Sequence, residues 1–122
     1  MLVDDEAAVR QTFEMSMTEL GHEVVTCEDG VTAVEVYRRR WQELDVVVLD
    51  MVMPRLNGRE TFLALKEINA GVRVLIASGF ALDRETEAAL AAGAAGFVQK
   101  PFETRRIARR LVELVQSPTE KK

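Results

Sequence analysis

The sequence predicts an α/β fold in which helices cover both faces of a parallel sheet, and three observations carry that reading. Short apolar runs alternate with segments of helical periodicity along the chain, making five strand–helix units in succession. Parallel neighbours need a right-handed crossover, and the intervening helices supply it. The run Val46–Leu49 is apolar throughout rather than alternating, as a strand buried on both faces requires. The runs also end in reactive groups: Asp4 and Asp5 after Leu2-Val3, Asp50 after Leu49, Ser78 after Ala77 and Lys100 after Gln99. Parallel sheets bind ligands at the carboxyl ends of their strands, near the point where strand order reverses, so all five groups fall on that edge.

The first strand is Met1 to Val3. Residues Glu6 to Leu20 place Val9, Phe13, Met17 and Leu20 at helical spacing, and Gly21 follows where a left-handed cap is wanted. Glu23 to Cys27 alternates as a second strand, and Asp29-Gly30 turns the chain into a helix running through Ala33, Val34, Tyr37 and Trp41. Strand three is Asp45 to Leu49. A loop with Pro54, Asn57 and Gly58 leads into a helix from Arg59 to Ile68, with Phe62, Leu65 and Ile68 on one face. Gly71 ends it, Val72 to Ala77 forms strand four, and Arg84 to Ala92 is an alanine-rich helix stopped by Gly93. Strand five is Gly96 to Gln99. The last helix begins near Glu103, with Ile107, Leu111, Leu114 and Val115 on its apolar face. The pattern alone leaves several doubly wound strand orders open, the flavodoxin-like order being the natural one for five units.

The chain has 122 residues, enough for one core, and one domain is expected over residues 1–116, with a polar, frayed tail at 117–122. With 48% hydrophobic and 30% charged residues it has the composition of a soluble globular protein, and a formal net charge of −4 offers no general attraction to nucleic acid or anionic membrane. Direct binding to either is not expected. The lone Cys27 cannot form an internal disulfide, no signal-peptide pattern is present, and no stretch reaches the roughly 18 apolar residues of a membrane span. These features lead to the expectation of a cytoplasmic protein.

Three carboxylates converging at one sheet edge repel one another unless a cation is present. Magnesium takes oxygen ligands, often one or two carboxylates with several waters; Asp5 and Asp50 suit direct ligation and Asp4 a water-mediated role. With its charge neutralised, an oxygen of Asp50 can attack phosphorus and form an aspartyl phosphate. Lys100 would supply positive charge to the phosphoryl oxygens and Ser78 a hydrogen bond, with the backbone amides of Met51 or Val52 and of Gly79 as further donors.

The residues Asp4-Asp5-Glu6, Leu49-Asp50-Met51-Val52-Met53-Pro54 with Asn57-Gly58, Ala77-Ser78-Gly79 and Lys100-Pro101-Phe102, in that order, resemble the response-regulator receiver domain of two-component signalling. The resemblance spans Leu2 to about Val115. It implies the flavodoxin-like order 2-1-3-4-5 and phosphoryl transfer from a phosphohistidine, on a histidine kinase or histidine phosphotransfer domain, to Asp50. It also implies Mg²⁺ on Asp5, Asp50 and the backbone carbonyl of Val52, with Asp4 behind them, and Lys100 and Ser78 on the phosphoryl group. Phe97 stands at the position of the aromatic switch that turns inward when Ser78 moves. A non-enzymatic switch acting through the surface of the fourth helix, fifth strand and fifth helix is therefore expected, its output passing to another protein, separate or covalently linked, not named by the sequence. Asn57-Gly58-Arg59-Glu60-Thr61 and Ser78-Gly79-Phe80 are similar to the receivers of hybrid histidine kinases.

Departures from the pattern carry expectations of their own. A first strand of three residues is short for a central strand, and apolar residues are expected upstream in the parent chain. Val52 and Phe80, two positions past Asp50 and Ser78, cannot orient water, which implies slow loss of the phosphoryl group. Competing readings are a small aspartyl-phosphate phosphatase of the haloacid-dehalogenase type and a receiver-like module that only docks partners. The first lacks the second acid two residues after the nucleophile, where Val52 stands; the second does not account for all five site groups. No glycine-rich loop follows strand one, so a nucleotide or flavin binder is a poor match. His22 is expected to be solvated, Cys27 to be a partly buried apolar residue, and Arg38–Arg40 with Arg105, Arg106, Arg109 and Arg110 to face solvent.

Overall fold

Five parallel strands form one sheet in the order β2-β1-β3-β4-β5, the flavodoxin-like arrangement. In the computed structural model, residues 1–53, 55–79, 84–100 and 103–116 are described; Pro54, Phe80, Pro101, Phe102 and the tail 117–122, singled out above, lie outside the described residues. The elements are β1 (Leu2–Val3), α1 (Ala7–Glu19), β2 (Thr26–Cys27), α2 (Gly30–Arg40), β3 (Val47–Asp50), α3 (Gly58–Ile68), β4 (Val74–Ser78), α4 (Arg84–Ala91), β5 (Gly96–Gln99) and α5 (Thr104–Gln116), with a 3-10 turn at Trp41–Glu43.

The strands alternate their side chains between two cores. Val47 and Leu49 of β3 and Val74 and Ile76 of β4 point to one face, where Ala33 and Tyr37 of α2, Phe62 and Leu65 of α3 and Ala89 of α4 cover them. Val48, Leu75 and Ala77 point to the other, under Phe13 and Met17 of α1 and Ile107 and Ala108 of α5. Both faces are thus closed, which is why β3 and β4 read as continuous apolar runs.

Several boundaries differ from the sequence reading. β3 and β4 begin two residues later than expected and end one later, so Asp50 and Ser78 are the last residues of their strands. The pairing of Asp50 with Ala77 and of Ser78 with Gln99 holds them in the ladder. β2 shrinks to Thr26–Cys27 because β1, its partner, offers only Leu2 and Val3. Helix α2 stops at Arg40, whose φ of −130° and ψ of 15° break the helical path, and Trp41 opens the 3-10 turn instead of continuing the helix. His22 is half-buried rather than solvated, its amide donating to Met17 O at 3.0 Å. Cys27 is fully buried, and that burial pushes its thiol up to about 11. Arg110 departs from its three exposed neighbours: its guanidinium lies over Gly96 at the start of β5.

Candidate functional site: an acidic edge closed by a lysine

The β1–α1 connection delivers Asp4. Its amide continues the strand pairing by donating to Cys27 O at 3.1 Å, and its Oδ1 accepts from the Glu6 amide at 2.9 Å. Arg10, one turn into α1, donates to the Asp4 carbonyl at 2.8 Å. These contacts bury Asp4 and leave Asp5 exposed beside it. On the adjacent strand Asp50 is 4% exposed, and its Oδ1 accepts from the Val52 amide at 3.3 Å. Ligand oxygens of Asp4, Asp5 and Asp50 lie within 4.8 Å of one another.

The backbone behind Asp50 is pinned from two sides. Met51 donates to Ala77 O and accepts from the Gly58 amide, both at 3.1 Å. A Cβ on Gly58 would fall 2.5 Å from Met51 Cα and 2.7 Å from Asp50 O, so only glycine lets α3 start this close to the site. Asn57 and Glu60 form a reciprocal capping box over the same turn.

Lys100, just past β5, closes the edge. Its amide donates to Ser78 O at 2.7 Å, and its Nζ reaches Asp4 Oδ2 at 2.6 Å, Asp50 Oδ2 at 3.2 Å and Glu6 Oε1 at 3.3 Å. Burial pulls the lysine's pKa down, but Asp4 and Asp50 outweigh it and hold the ammonium above its ordinary value. Asp50 goes the other way. Burial and then the charge of Asp4 push its carboxyl up to about 6, against the opposing pull of Lys100.

Ser78 is fully buried at the end of β4, one position past the partner of Asp50; Gly79 follows, exposed. Phe97 is half-buried on β5 beside Ile76, packed against the core of the α2–α4 face. Val52 is 60% exposed at the mouth of the site. Asp4, Asp5, Asp50 and Lys100 are therefore brought together, Ser78 and Val52 adjoin them, and Phe97 stands off on the flank.

A hard divalent cation fits this donor set. All three carboxylates offer oxygen, and Asp4 Oδ2 is buried with no aligned hydrogen-bond donor among the described residues, although the Lys100 charge lies beside it. Sequence reasoning did not assign Glu6 its ion pair with Lys100 or Arg10 its contact with Asp4. It also missed the contact of Arg55, in the loop after Asp50, with Asp29 at the start of α2. The signal for Glu6 was its place in the acidic triplet; Arg10 and Arg55 carry none that spacing reveals.

The fold and site define a doubly wound α/β domain that gathers three carboxylates and a lysine at its carboxyl edge. The sequence model of the response regulator receiver domain matches residues 1–112, and the chain belongs to that family. A protein of Pyropia yezoensis named "Probable transcriptional regulator ycf27" is 38% identical over 112 residues, covering 91% of this chain and 44% of the relative. The sensor kinase CckA of Brucella abortus is 30% identical over 116 residues, covering 95% of this chain and 12% of the kinase. Among solved structures, the CheX-CheY-BeF3-Mg complex from Borrelia burgdorferi contains a chain that superposes with a TM-score of 0.83 at 26% identity, over 95% of this chain and 87% of that one. The chain thus spans less than half the length of these curated relatives.

Proposed function

We propose that this receiver domain is the phosphoacceptor of a two-component phosphorelay, with Asp50 as the residue modified. The observation that carries the proposal is the convergence of Asp4, Asp5 and Asp50 within 4.8 Å while Lys100 spans Asp4 and Asp50. An oxygen of Asp50 attacks phosphorus as the P–N bond to a donor imidazole breaks, the donor being a histidine kinase or a histidine phosphotransfer domain. Asp5, Asp50 and the Val52 carbonyl would hold Mg²⁺, with Asp4 acting through water, and the ion would supply charge neutralisation for the carboxylates and the incoming phosphoryl group. Lys100 stabilises the phosphoryl oxygens, and Ser78 and the Gly79 amide donate to them.

The domain itself is not an enzyme in this reading; it changes state. Added charge at Asp50 draws Ser78 and Lys100 inward, Phe97 follows, and the surface of α4, β5 and α5 shifts toward its partner-binding form. The partner is an output protein or a linked domain, and the match to a sensor kinase favours the hybrid arrangement as one parent architecture. Phosphoryl transfer from a histidine kinase or histidine phosphotransfer domain sets a cytoplasmic site of action in this reading; among the described residues no helix is long and apolar enough to cross a membrane.

Intact mass after incubation with Mg²⁺ and acetyl phosphate tests the proposal. The wild type should gain one phosphoryl group only when Mg²⁺ is present, and Asp50→Asn should gain none. An adduct that survives in the variant would remove Asp50 from its role.

A further inference from the structure

Arg55 takes φ 67°, the left-handed region, where glycine or asparagine would sit at less cost. A long charged side chain at such a position calls for a compensating contact, and one is present. The Arg55 Nη2 donates to Asp29 Oδ2, and Asp29 is the residue that caps α2, its Oδ1 accepting from the Thr32 amide at 2.8 Å. Asp29 is 6% exposed; its hydrogen bond from Thr32 first, and then Arg55, hold its carboxyl below the usual range despite burial. The next loop residue is seated as closely: a Cβ on Gly30 would lie 2.9 Å from Leu56 O and 3.0 Å from Leu56 Cβ.

The described residues of the loop between β3 and α3 are therefore fastened at Met51, Arg55 and Asn57. Met51 is tied to β4 and Gly58, Asn57 caps α3, and Arg55 anchors the segment between them to α2. That segment includes Val52, whose carbonyl is the backbone oxygen proposed above as a magnesium ligand. We infer that Arg55 and Asp29 form a clamp that sets the position of this loop and so tunes divalent-cation affinity from outside the acidic cluster. The inference rests on the magnesium reading of the site. Arg55 and Asp29 are positioning residues in it, touching neither metal nor phosphoryl group.

Calorimetric Mg²⁺ titration of the purified protein, with thermal melts of the same samples, tests the clamp. Asp29→Asn keeps a good helix cap while removing the charge, and Arg55→Asn tolerates the left-handed backbone while removing the guanidinium. Each variant should bind Mg²⁺ at least about fivefold more weakly than the wild type, and the double variant no more weakly than either single one, as expected of one shared interaction. Arg55→Lys should recover much of the loss. Cooperative melting with unchanged Mg²⁺ affinity in Arg55→Asn and Asp29→Asn would overturn the clamp and leave the contact a merely structural one. Absence of Mg²⁺ binding in the wild type would instead overturn the metal reading itself and the inference with it.

Discussion

At neutral pH Asp50 is ionised only at a cost to folding. Its carboxyl is raised from 3.8 to about 6, so between those values the folded state holds a proton that the unfolded chain has lost, and stability falls as pH rises. Below the lower value both states are protonated and the penalty is absent; above the upper it is complete, on the order of 2–3 kcal/mol. Asp50→Asn should therefore melt higher than the metal-free wild type by several degrees near pH 7, with the difference shrinking toward zero near pH 4. A pH-independent difference would contradict the assignment. Two residues on, the exposed Val52 brings no polar atom from its side chain to the mouth of the site. The aspartyl phosphate should therefore hydrolyse slowly, and Val52→Asn should speed its decay several-fold in a phosphate-release assay; unchanged decay would show that water is oriented by other groups. At this scale the sequence was most informative, since a run of Val and Leu ending in Asp names a buried strand and its terminal acid together. Contacts between residues far apart in sequence, such as Arg55 with Asp29, depend on how the loops cross and left no mark in spacing.

The helices were legible where their caps are local. Asn57 and Glu60 announce the start of α3, and Gly21, at φ 89°, marks the end of α1. The strands were less so, because their ends are set by partners: β2 is two residues long for want of a longer β1, and β3 extends to Asp50 because β4 runs alongside it. The junction before α3 is tight, with a Cβ on Gly58 falling 2.5 Å from the Met51 Cα. Asn57→Ala, which removes the capping box, should cost about 1 kcal/mol in urea unfolding. Gly58→Ala should cost more, about 2–4 kcal/mol, because its Cβ would meet, besides the Met51 Sδ, the backbone of Asp50 and Met51, which cannot swing away. If the two losses were equal, the close approach of α3 to the site would not be the constraint described.

Across the whole molecule, the sheet places every site group at one edge, but strand order is a property of crossovers and could be read only from resemblance. Alternation along β3 and β4 sorts the helices, two on one face and three on the other, while the acidic cluster gathers at the carboxyl edge. Lys100 draws that edge together: its amide holds β4 at Ser78, and its ammonium meets the acids that follow β1 and end β3. In the terms of ion exchange, the protein carries its own counter-ion, tethered to β5, and a divalent cation entering the cluster competes with a resident charge instead of filling a bare one. Lys100→Met should consequently bind Mg²⁺ more tightly, by about fivefold or more in a calorimetric titration, while accepting the phosphoryl group more slowly. Weaker binding in that variant would mean that the lysine shapes the acidic cluster more than it competes for it. On the magnesium reading proposed above, such a tether would keep metal affinity moderate, so that loading of the site would follow the free Mg²⁺ concentration and could be reversed.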